Sequence, residues 1–304
     1  MSRLIPAALL CLQATTAAGQ QGLPMKDLFD RATSGEPKFE GLRKEAREEM
    51  VRRKEEALPY LFSKLGTRDA TERHAIKDIF LQMGESGIPY LLQGLKLKDW
   101  RSLIEVAFII EEMKEKRGAP ALTAIVANDN WRVRQAAISA IGEIGDSSFA
   151  DVLLPSLSDG NELVRKAGAY ALGQLKWKTR PEVLLPLLGD SFYGVRYSAS
   201  FALSKSGAEE TRSLINSFKK KSDKLARYHL IDAIGETQTD DAFAFLISIT
   251  GDTDPLVRAF AVRMLANYQD KPEAMDAIKK LALEKDLVVR SEALTALQKA
   301  GPEE

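Results

Sequence analysis

Six arginines recur along this sequence at an almost constant spacing, and such a row of guanidinium groups could bind an extended anion. A guanidinium carries planar pairs of N–H donors that match the oxygens of a carboxylate or a phosphate. The spacings are 31 residues four times and then 32, and each arginine follows an apolar residue at a predicted helix start. The members of this arginine ladder are Arg134, Arg165, Arg196, Arg227, Arg258 and Arg290.

Acidic residues near the arginines favour a structural role for the ladder instead. Asp159, Asp190 and Asp252 each lie six residues before an arginine, in the predicted turn that precedes its helix. Carboxylates in this position can cap the helix and pair with arginines of the same or a neighbouring unit. We therefore interpret the ladder as an internal framework of the fold.

Catalytic chemistry has few residues on which to depend. The two histidines, His74 and His229, lie 155 residues apart, and neither has the spacing of a metal-ligand pair. His229 occupies an offset that holds a small residue in other units, which predicts a semi-buried structural histidine. The sequence has no glycine-rich phosphate loop, no Gly-x-Ser-x-Gly elbow and no Cys-x-x-Cys pair. We predict no catalytic, metal-binding or cofactor-binding residues, and a protein that is not an enzyme.

The constant period also indicates which elements position these residues. A repeat of about 31 residues is typical of stacked supersecondary units. Small or apolar residues recur three, six and seven positions after each arginine, as in Ala137, Ala140 and Ile141. This spacing places them on one stripe of an amphipathic helix. The predicted fold is all-α: an α-solenoid, or superhelix, of about eight helical hairpins.

Each predicted first helix is followed by a stop and a second helix. Glycine past a helix end supplies the left-handed conformation that closes it, and the glycines assigned to this role are Gly142, Gly145, Gly173, Gly207, Gly235 and Gly301. The apolar second helices are predicted at 149–157, 181–188, 242–249 and 272–283.

The N-terminus has a different pattern from the repeats. Arg3 precedes an apolar run over residues 4–12, and small residues follow up to Gly19. This is the order of a signal peptide, so residues 1–19 predict export to the periplasm or the exterior. The lone cysteine, Cys11, lies inside this segment, and the mature chain would then have no thiol chemistry. Residues 20–37 are predicted as a flexible lead-in, 38–301 as the solenoid and 302–304 as a tail.

The composition limits the kinds of partner. The 304 residues include 43 basic and 43 acidic side chains, without a basic stripe, which argues against nucleic acid. The apolar run at the N-terminus is shorter than the roughly 20 residues needed to span a bilayer. We therefore expect a protein or peptide partner, no nucleic acid and no membrane span.

One repeat motif resembles a known family. The segment from Asp159 to Arg165, followed by Ala-Leu-Gly at 171–173, resembles the HEAT-like repeats of the phycobilisome-lyase type, and 190–196 and 252–258 are similar. The resemblance implies a helical-repeat fold that serves many binding roles. The unit that begins near Lys221 departs from the pattern, because Lys221 replaces the turn aspartate and Ala226 replaces valine.

Aromatic residues mark one candidate protein-binding surface. The first and fifth residues after each arginine share a helix face, and this face becomes aromatic at Tyr197 and Phe201. Neighbouring positions would extend it, with the full set being Tyr170, Trp177, Phe192, Tyr193, Tyr197, Phe201 and Tyr228. Exposed rings of this kind are typical binding anchors. A small rotation of the helices would instead bury them between units, and the sequence leaves both alternatives open.

The sequence thus favours a non-catalytic, protein-binding scaffold in the cell envelope or outside the cell. The alternative is a lyase-like or chaperone-like protein that handles a small chromophore or modifies a client protein. Self-association through the C-terminal edge is a further hypothesis, because the last predicted helix has no second helix after it.

Overall fold

The computed structural model describes Gln20 and residues 22–37, 40–177, 181–205, 207–221 and 223–300. The predicted signal peptide at 1–19 and the predicted tail at 302–304 lie outside these ranges. All regular elements in the described ranges are helices, which confirms the predicted all-α repeat fold. The chain divides into two compact units, Met1–Ala140 and Ile141–Glu304, and each is described by itself.

The first unit is built from seven α-helices and the greater part of an eighth in its described residues. Helices α2, α4 and α6 pack on one another in order, and α3 packs on α5. The helices are α1 Met25–Thr33, α2 Glu40–Arg52, α3 Lys54–Lys64, α4 Ala70–Met83, α5 Ile88–Gly94, α6 Trp100–Met113, α7 Ala119–Thr123 and α8 Trp131–Ile144, with 3₁₀ turns at Gly84–Gly87 and Lys116–Gly118.

The second unit repeats the same arrangement after the end of α8. Its first helices, α9, α10, α12, α14 and α16, pack each on the next. The elements are 3₁₀ Ser147–Ser158, α9 Glu162–Gln174, 3₁₀ Pro181–Val183 and Leu185–Gly189, α10 Tyr193–Ser204, α11 Ala208–Lys220, α12 Lys224–Gly235, α13 Asp240–Ser248, α14 Pro255–Leu265, α15 Pro272–Leu281 and α16 Leu287–Ala300.

The first helices begin at capped turns and bury the predicted stripe. Asp99, Asn161 and Asp223 each accept a hydrogen bond from a backbone N–H of the following helix. This satisfies one of the free donors that every helix N-terminus leaves. The valines before the ladder arginines, Val133, Val164, Val195, Val257 and Val289, are all 0% exposed. The stripe therefore forms the contact between successive repeats.

Three of the glycines predicted to stop helices have another role. Gly142 and Gly173 lie inside α8 and α9, Gly235 is the last residue of α12, and none has a positive φ. At Gly173 a Cβ atom would approach the Phe201 ring to 2.7 Å and the Ala202 Cα to 3.0 Å. The missing side chain therefore permits close helix packing. Gly145, with φ +77°, does adopt the left-handed conformation, and Gly301 lies outside the described residues.

Two predicted second helices are not α-helical. The segment around 149–157 forms the 3₁₀ helix Ser147–Ser158, with Pro155 inside it. Residues 181–188 form two short 3₁₀ segments, the second with a proline in its first turn. Proline removes an N–H donor and disfavours an α-helical residue before it, which accounts for the tighter turns. The predictions at 242–249 and 272–283 correspond to α13 and α15.

The lead-in at 20–37 also differs from the prediction of a flexible segment. It contains α1, which packs against α2 and buries Leu28, Phe29 and Ala32 completely. The Phe29 ring meets Tyr60 edge-on at a centroid distance of 5.4 Å. The apolar positions of α1 are few and widely spaced, so the periodicity of the repeats did not reveal them.

Candidate functional site

The arginine ladder connects consecutive repeats of the second unit. Arg165 donates from Nε to Oδ2 of Asp190 at 2.8 Å and from Nη2 to Oδ1 at 3.1 Å. Its Nη1 donates to the Asp159 carbonyl six residues earlier, at 2.8 Å. Burial would raise the pKa of Asp190, but hydrogen bonds from Arg165 and from the Phe192 N–H hold it below its ordinary value. Arg165 thus hydrogen-bonds both to the turn before its own helix and to the turn before the next first helix.

Two further members of the ladder make the same kind of contact. Arg227 reaches Oδ2 of Asp252 at 3.4 Å. Arg258 donates from Nη2 to Oε2 of Glu284 at 2.9 Å and from Nη1 to the Asp252 carbonyl at 2.7 Å. These side chains are half-buried, so the charged pairs are only partly screened by water. Elsewhere in the ladder, Nη1 of Arg134 donates to Asn128 O at 2.8 Å and that of Arg290 to Glu284 O at 3.2 Å.

Arg196 differs from these arginines because Lys221 stands where the next turn would supply an acid. Its Nη1 still donates to the Asp190 carbonyl at 2.7 Å, but its Nε donates to Nε2 of His229 at 3.1 Å. Its guanidinium also lies 5.5 Å from the centre of the Tyr193 ring. The departure at Lys221 therefore turns one ladder arginine towards aromatic side chains.

His229 joins Arg196 to a second charged pair. Its Nε2 accepts from Arg196, so the ring proton lies on Nδ1, which is 3.6 Å from Oδ2 of Asp232. Asp232 accepts a hydrogen bond from Arg263, whose guanidinium lies 4.0 Å from the centre of the Phe260 ring. His229 is 7% exposed, which agrees with the predicted semi-buried histidine. The network is a structural support beneath the surface rings.

Five predicted aromatic residues line one surface of the second unit, and together they are called the aromatic surface: Tyr170, Phe192, Tyr193, Tyr197 and Phe201. Tyr193 and Tyr197 are 62% and 55% exposed, and Tyr170 and Phe192 are 39% and 38% exposed. Tyr170 stacks on Phe201 at 5.0 Å, and Tyr193 lies 6.4 Å from Tyr197. Tyr170, Tyr193 and Tyr197 therefore each lie against another ring of this surface.

The structure separates the other two predicted residues from this surface. Tyr228 is 8% exposed, donates from its hydroxyl to Oδ2 of Asp254 at 2.8 Å, and stacks on Phe260 at 5.3 Å. Burial and the bond to Asp254 raise the pKa of Tyr228 to about 12. Trp177 is half-buried beyond α9, and no ring contact among the described residues joins it to the aromatic surface. Tyr228 is a packing residue, contrary to its predicted place on the surface.

A cavity of about 370 Å³ opens beside the aromatic surface. Tyr193, Tyr197 and Phe201 form its aromatic wall, and Asp232 and Arg263 contribute polar groups. Sequence reasoning missed these two polar residues, although a signal was present. Each is the fifth residue after a ladder arginine, the same offset as Tyr170 and Phe201, so continuing that offset along the chain would have found them.

The described ranges offer neither a membrane span nor a metal site. None of their helices has both the length and the apolar character needed to cross a membrane. Within the same ranges, no three His, Cys, Asp or Glu side chains cluster in a way that could hold a metal ion.

Comparison with known proteins identifies the repeats. The family of HEAT repeats matches residues 88–173 and 211–298, which together exceed half of the chain. No curated protein sequence matches significantly.

Several solved structures resemble the fold. Importin beta aligns over 98% of this chain and 50% of its own, with a TM-score of 0.60 at 12% identity. The complex of CpcE and CpcF of phycocyanin lyase from Nostoc sp. PCC7120 aligns over 70% of this chain and 88% of its own, with a TM-score of 0.43 at 21% identity. Human deoxyhypusine hydroxylase aligns over 84% of this chain and 99% of its own, with a TM-score of 0.37 at 21% identity. At these identities the likeness concerns the fold alone, and the family match shows that the chain belongs to the HEAT repeat proteins.

Proposed function

We propose that this protein is a non-catalytic scaffold that binds a protein or peptide through the aromatic surface of its second unit. The observation that carries the proposal is the group of partly exposed, mutually packed rings beside a cavity. Tyr193 and Tyr197, at 62% and 55% exposed, leave large apolar areas in water. Burying one such ring in an interface can contribute about 2 kcal/mol. The repeat architecture supports the proposal, because helical-repeat proteins commonly present extended binding surfaces.

The rigidity of the aromatic surface favours binding over a role in folding alone. Tyr170 stacks on Phe201, and Nζ of Lys205 lies 5.1 Å from the centre of the Phe201 ring. Rings that are already held in place lose little conformational entropy when a partner covers them. The adjoining Asp232 and Arg263 provide both a hydrogen-bond acceptor and donors at the cavity edge.

The test is capture of partners by the purified chain and by a variant with Tyr193→Ser and Tyr197→Ser. We expect a specific partner to bind the natural chain and to be lost from the double variant, while the melting temperature changes little. The matched control is Val152→Ser, which removes an apolar side chain that is 40% exposed in the second unit and lines neither the cavity beside the aromatic surface nor any other described cavity. A partner retained by the double variant would refute the assignment to the aromatic surface, and so would equal loss from the control.

We also propose that the scaffold acts in the cell envelope or outside the cell. The order of residues 1–19 supports export, and the repeats are proposed to be of the short phycobilisome-lyase type because of their acidic turns and Val-Arg pairs. Cell fractionation with and without residues 1–19 tests the location. Retention of both forms in the cytoplasm would contradict it.

The alternative of a lyase-like or chaperone-like protein makes a different prediction. A chromophore handled by the protein would give the purified chain visible absorbance, or would bind on addition of a tetrapyrrole. A colourless chain that does not bind the tetrapyrrole would contradict this alternative and would leave the scaffold as the proposed function.

Self-association is a second candidate function, which the exposed apolar residues near α16 favour. Leu283 is 86% exposed and Leu287 is 70% exposed, with Val288 and Leu294 at 47% each. Apolar groups of this size at one edge are typical of a protein contact. Sedimentation of the natural chain over a range of concentrations, beside Leu283→Ser with Leu287→Ser, tests the proposal. A monomer at all concentrations would contradict it.

A further inference from the structure

A second cavity, of about 400 Å³, lies between α4 and α6 in the first unit. Trp100, Ile104 and Phe108 of α6 form part of its apolar wall, and Phe108 is 50% exposed. The volume falls within the range of small-molecule pockets, and such pockets combine an apolar lining with a few polar groups that orient the ligand. The polar groups of this cavity therefore indicate which ligand would fit.

The cavity contains an upstream member of the arginine ladder. Arg73 lies 61 residues before Arg134, which is two periods of the repeat. Its Nη1 donates to the Thr67 carbonyl six residues earlier at 3.2 Å and to the Arg68 carbonyl at 2.8 Å, the same turn closure as in the ladder. In the repeat between these two arginines, the equivalent position holds Ile104, whose side chain forms part of the cavity wall.

Arg73 lacks the carboxylate that pairs with other ladder arginines from the following turn. Arg165 and Arg227 pair with aspartates 25 residues later, but the residue 25 positions after Arg73 is Lys98. Among the described ion pairs, none gives Arg73 a carboxylate partner. Arg73 is an exposed residue that lines the cavity, and no described hydrogen bond uses its Nε or Nη2.

The other basic side chains at the cavity already have partners. Nζ of Lys77 pairs with Oε2 of Glu112 at 2.7 Å, and Nε2 of His74 lies 3.3 Å from Oδ2 of Asp78. The guanidinium of Arg101 lies 4.2 Å from the centre of the Trp100 ring. Arg73 is therefore the cation that is best placed to meet an incoming anion.

An orphaned polar group marks the same cavity independently. Glu105 lies in its wall and is 6% exposed, with Oε2 accepting a hydrogen bond from the Gly66 N–H at 2.9 Å. Its Oε1 is buried and has no hydrogen-bond partner among the described groups. Buried polar atoms are nearly always paired in folded proteins. Burial favours the protonated form of Glu105, and its O–H can donate a hydrogen bond to an oxygen of a ligand in the cavity.

We propose that this cavity binds a small organic carboxylate, with its apolar body between Trp100, Ile104 and Phe108 and its carboxylate on Arg73. The ligand's carboxylate pairs with Arg73 as the aspartate of the next turn pairs with Arg165 or Arg227. The planar guanidinium suits paired oxygens, as the Arg165–Asp190 contact demonstrates at 2.8 and 3.1 Å. This site is separate from the aromatic surface and does not depend on the proposed scaffold function.

The probe is 2-naphthoate, titrated calorimetrically into the full chain, with 2-naphthylmethanol and 2-naphthyl phosphate as matched ligands. We expect one 2-naphthoate per chain, and Arg73→Gln should weaken binding at least about tenfold because a charged hydrogen-bonded pair is lost. The uncharged alcohol should bind the natural chain and this variant with equal, weaker affinity. Phe108→Ser should also weaken 2-naphthoate by removing part of the wall.

The controls separate this site from a general effect of charge or folding. Arg212→Gln removes an arginine side chain that is 79% exposed in the second unit and lines neither cavity, so it should leave 2-naphthoate affinity unchanged. In the unsubstituted chain, 2-naphthoate should shift the indole N–H resonance of Trp100, a readout that does not depend on any variant. Unchanged 2-naphthoate affinity in Arg73→Gln, an equal loss of affinity in Arg212→Gln or an unmoved Trp100 resonance would overturn the proposal. A preference for the phosphate would overturn the assignment of a carboxylate.

Discussion

Arg165 and Asp190 join two consecutive repeats through two hydrogen bonds of 2.8 and 3.1 Å. The arginine belongs to one first helix and the aspartate to the turn that begins the next, so the pair fixes the spacing between them. The same contact recurs at Arg227 and Arg258. Arg73 and Arg196, for which no such contact is described, lie at the two candidate binding regions. Interruption of the ladder thus coincides with the surfaces to which we assign function.

Removing the carboxylate charge of Asp190 should destabilise the fold. Asp190→Asn leaves the half-buried guanidinium of Arg165 without its ion pair, at a cost of about 2 kcal/mol in the free energy of unfolding. Urea denaturation measures the loss. The control is Asp240→Asn, which breaks the pair with Lys271 where Asp240 is 96% exposed, and it should change stability little. Equal losses would contradict a special role for the ladder.

An acid introduced in the turn after Arg196 should form the ion pair that this arginine lacks. Lys221→Asp places a carboxylate 25 residues after Arg196, the separation of the Arg165–Asp190 pair. We expect a gain of about 0.5–1 kcal/mol, because the new pair is partly exposed. Lys221→Asn is the control for loss of the lysine alone. If both variants have the same stability, the acid does not engage Arg196.

Tyr228 should contribute to stability and not to partner binding. Tyr228→Phe keeps the stack on Phe260 but removes the hydroxyl bond to Asp254, which is 2.8 Å long. We expect a loss of about 1 kcal/mol in the free energy of unfolding, with the captured partner retained. Loss of the partner at unchanged stability would place Tyr228 in the binding surface after all.

Glu105 should make the stability of the fold depend on pH. Burial raises its pKa from 4.5 to about 7, against the lowering effect of the Gly66 N–H and Arg73, while Glu72 adds to the rise. The folded state keeps the proton in a range where the unfolded state has lost it, so stability is highest below about pH 4.5 and falls until about pH 7.

The substitution Glu105→Gln removes this titration and isolates its effect. The stability difference between the natural chain and the variant should change by about 3 kcal/mol between pH 4 and pH 8, in favour of the variant at high pH. Urea denaturation of both chains at the two pH values measures it. A constant difference would show that folding does not shift the pKa of Glu105.

Much of the architecture could be predicted from the repeat alone. The valines before the ladder arginines and the alanines after them are buried as expected, because a 31-residue period leaves each unit only its neighbours to cover its apolar stripe. The α1 helix escaped prediction because it lies before the periodic region. Gly142 and Gly173 were misassigned because a glycine near a helix end can serve either a left-handed turn or a close helix contact.

The candidate sites needed the tertiary structure. Tyr197 and Tyr228 occupy the same offset after a ladder arginine, yet one is 55% exposed and the other 8%. The difference arises because Tyr228 finds Asp254 and Phe260 on the neighbouring repeat, partners that offset counting within a single helix does not include.

By itself, the sequence determined the repeat, its buried stripe and the arginine ladder, because these follow from local periodicity and from the need to bury apolar side chains between neighbours. Only the tertiary structure decided which rings remain exposed, that Arg196 donates to His229, that Arg73 lines a cavity and that Glu105 is left unpaired. Those properties depend on contacts between side chains that are far apart in the chain, and small differences in helix packing change them.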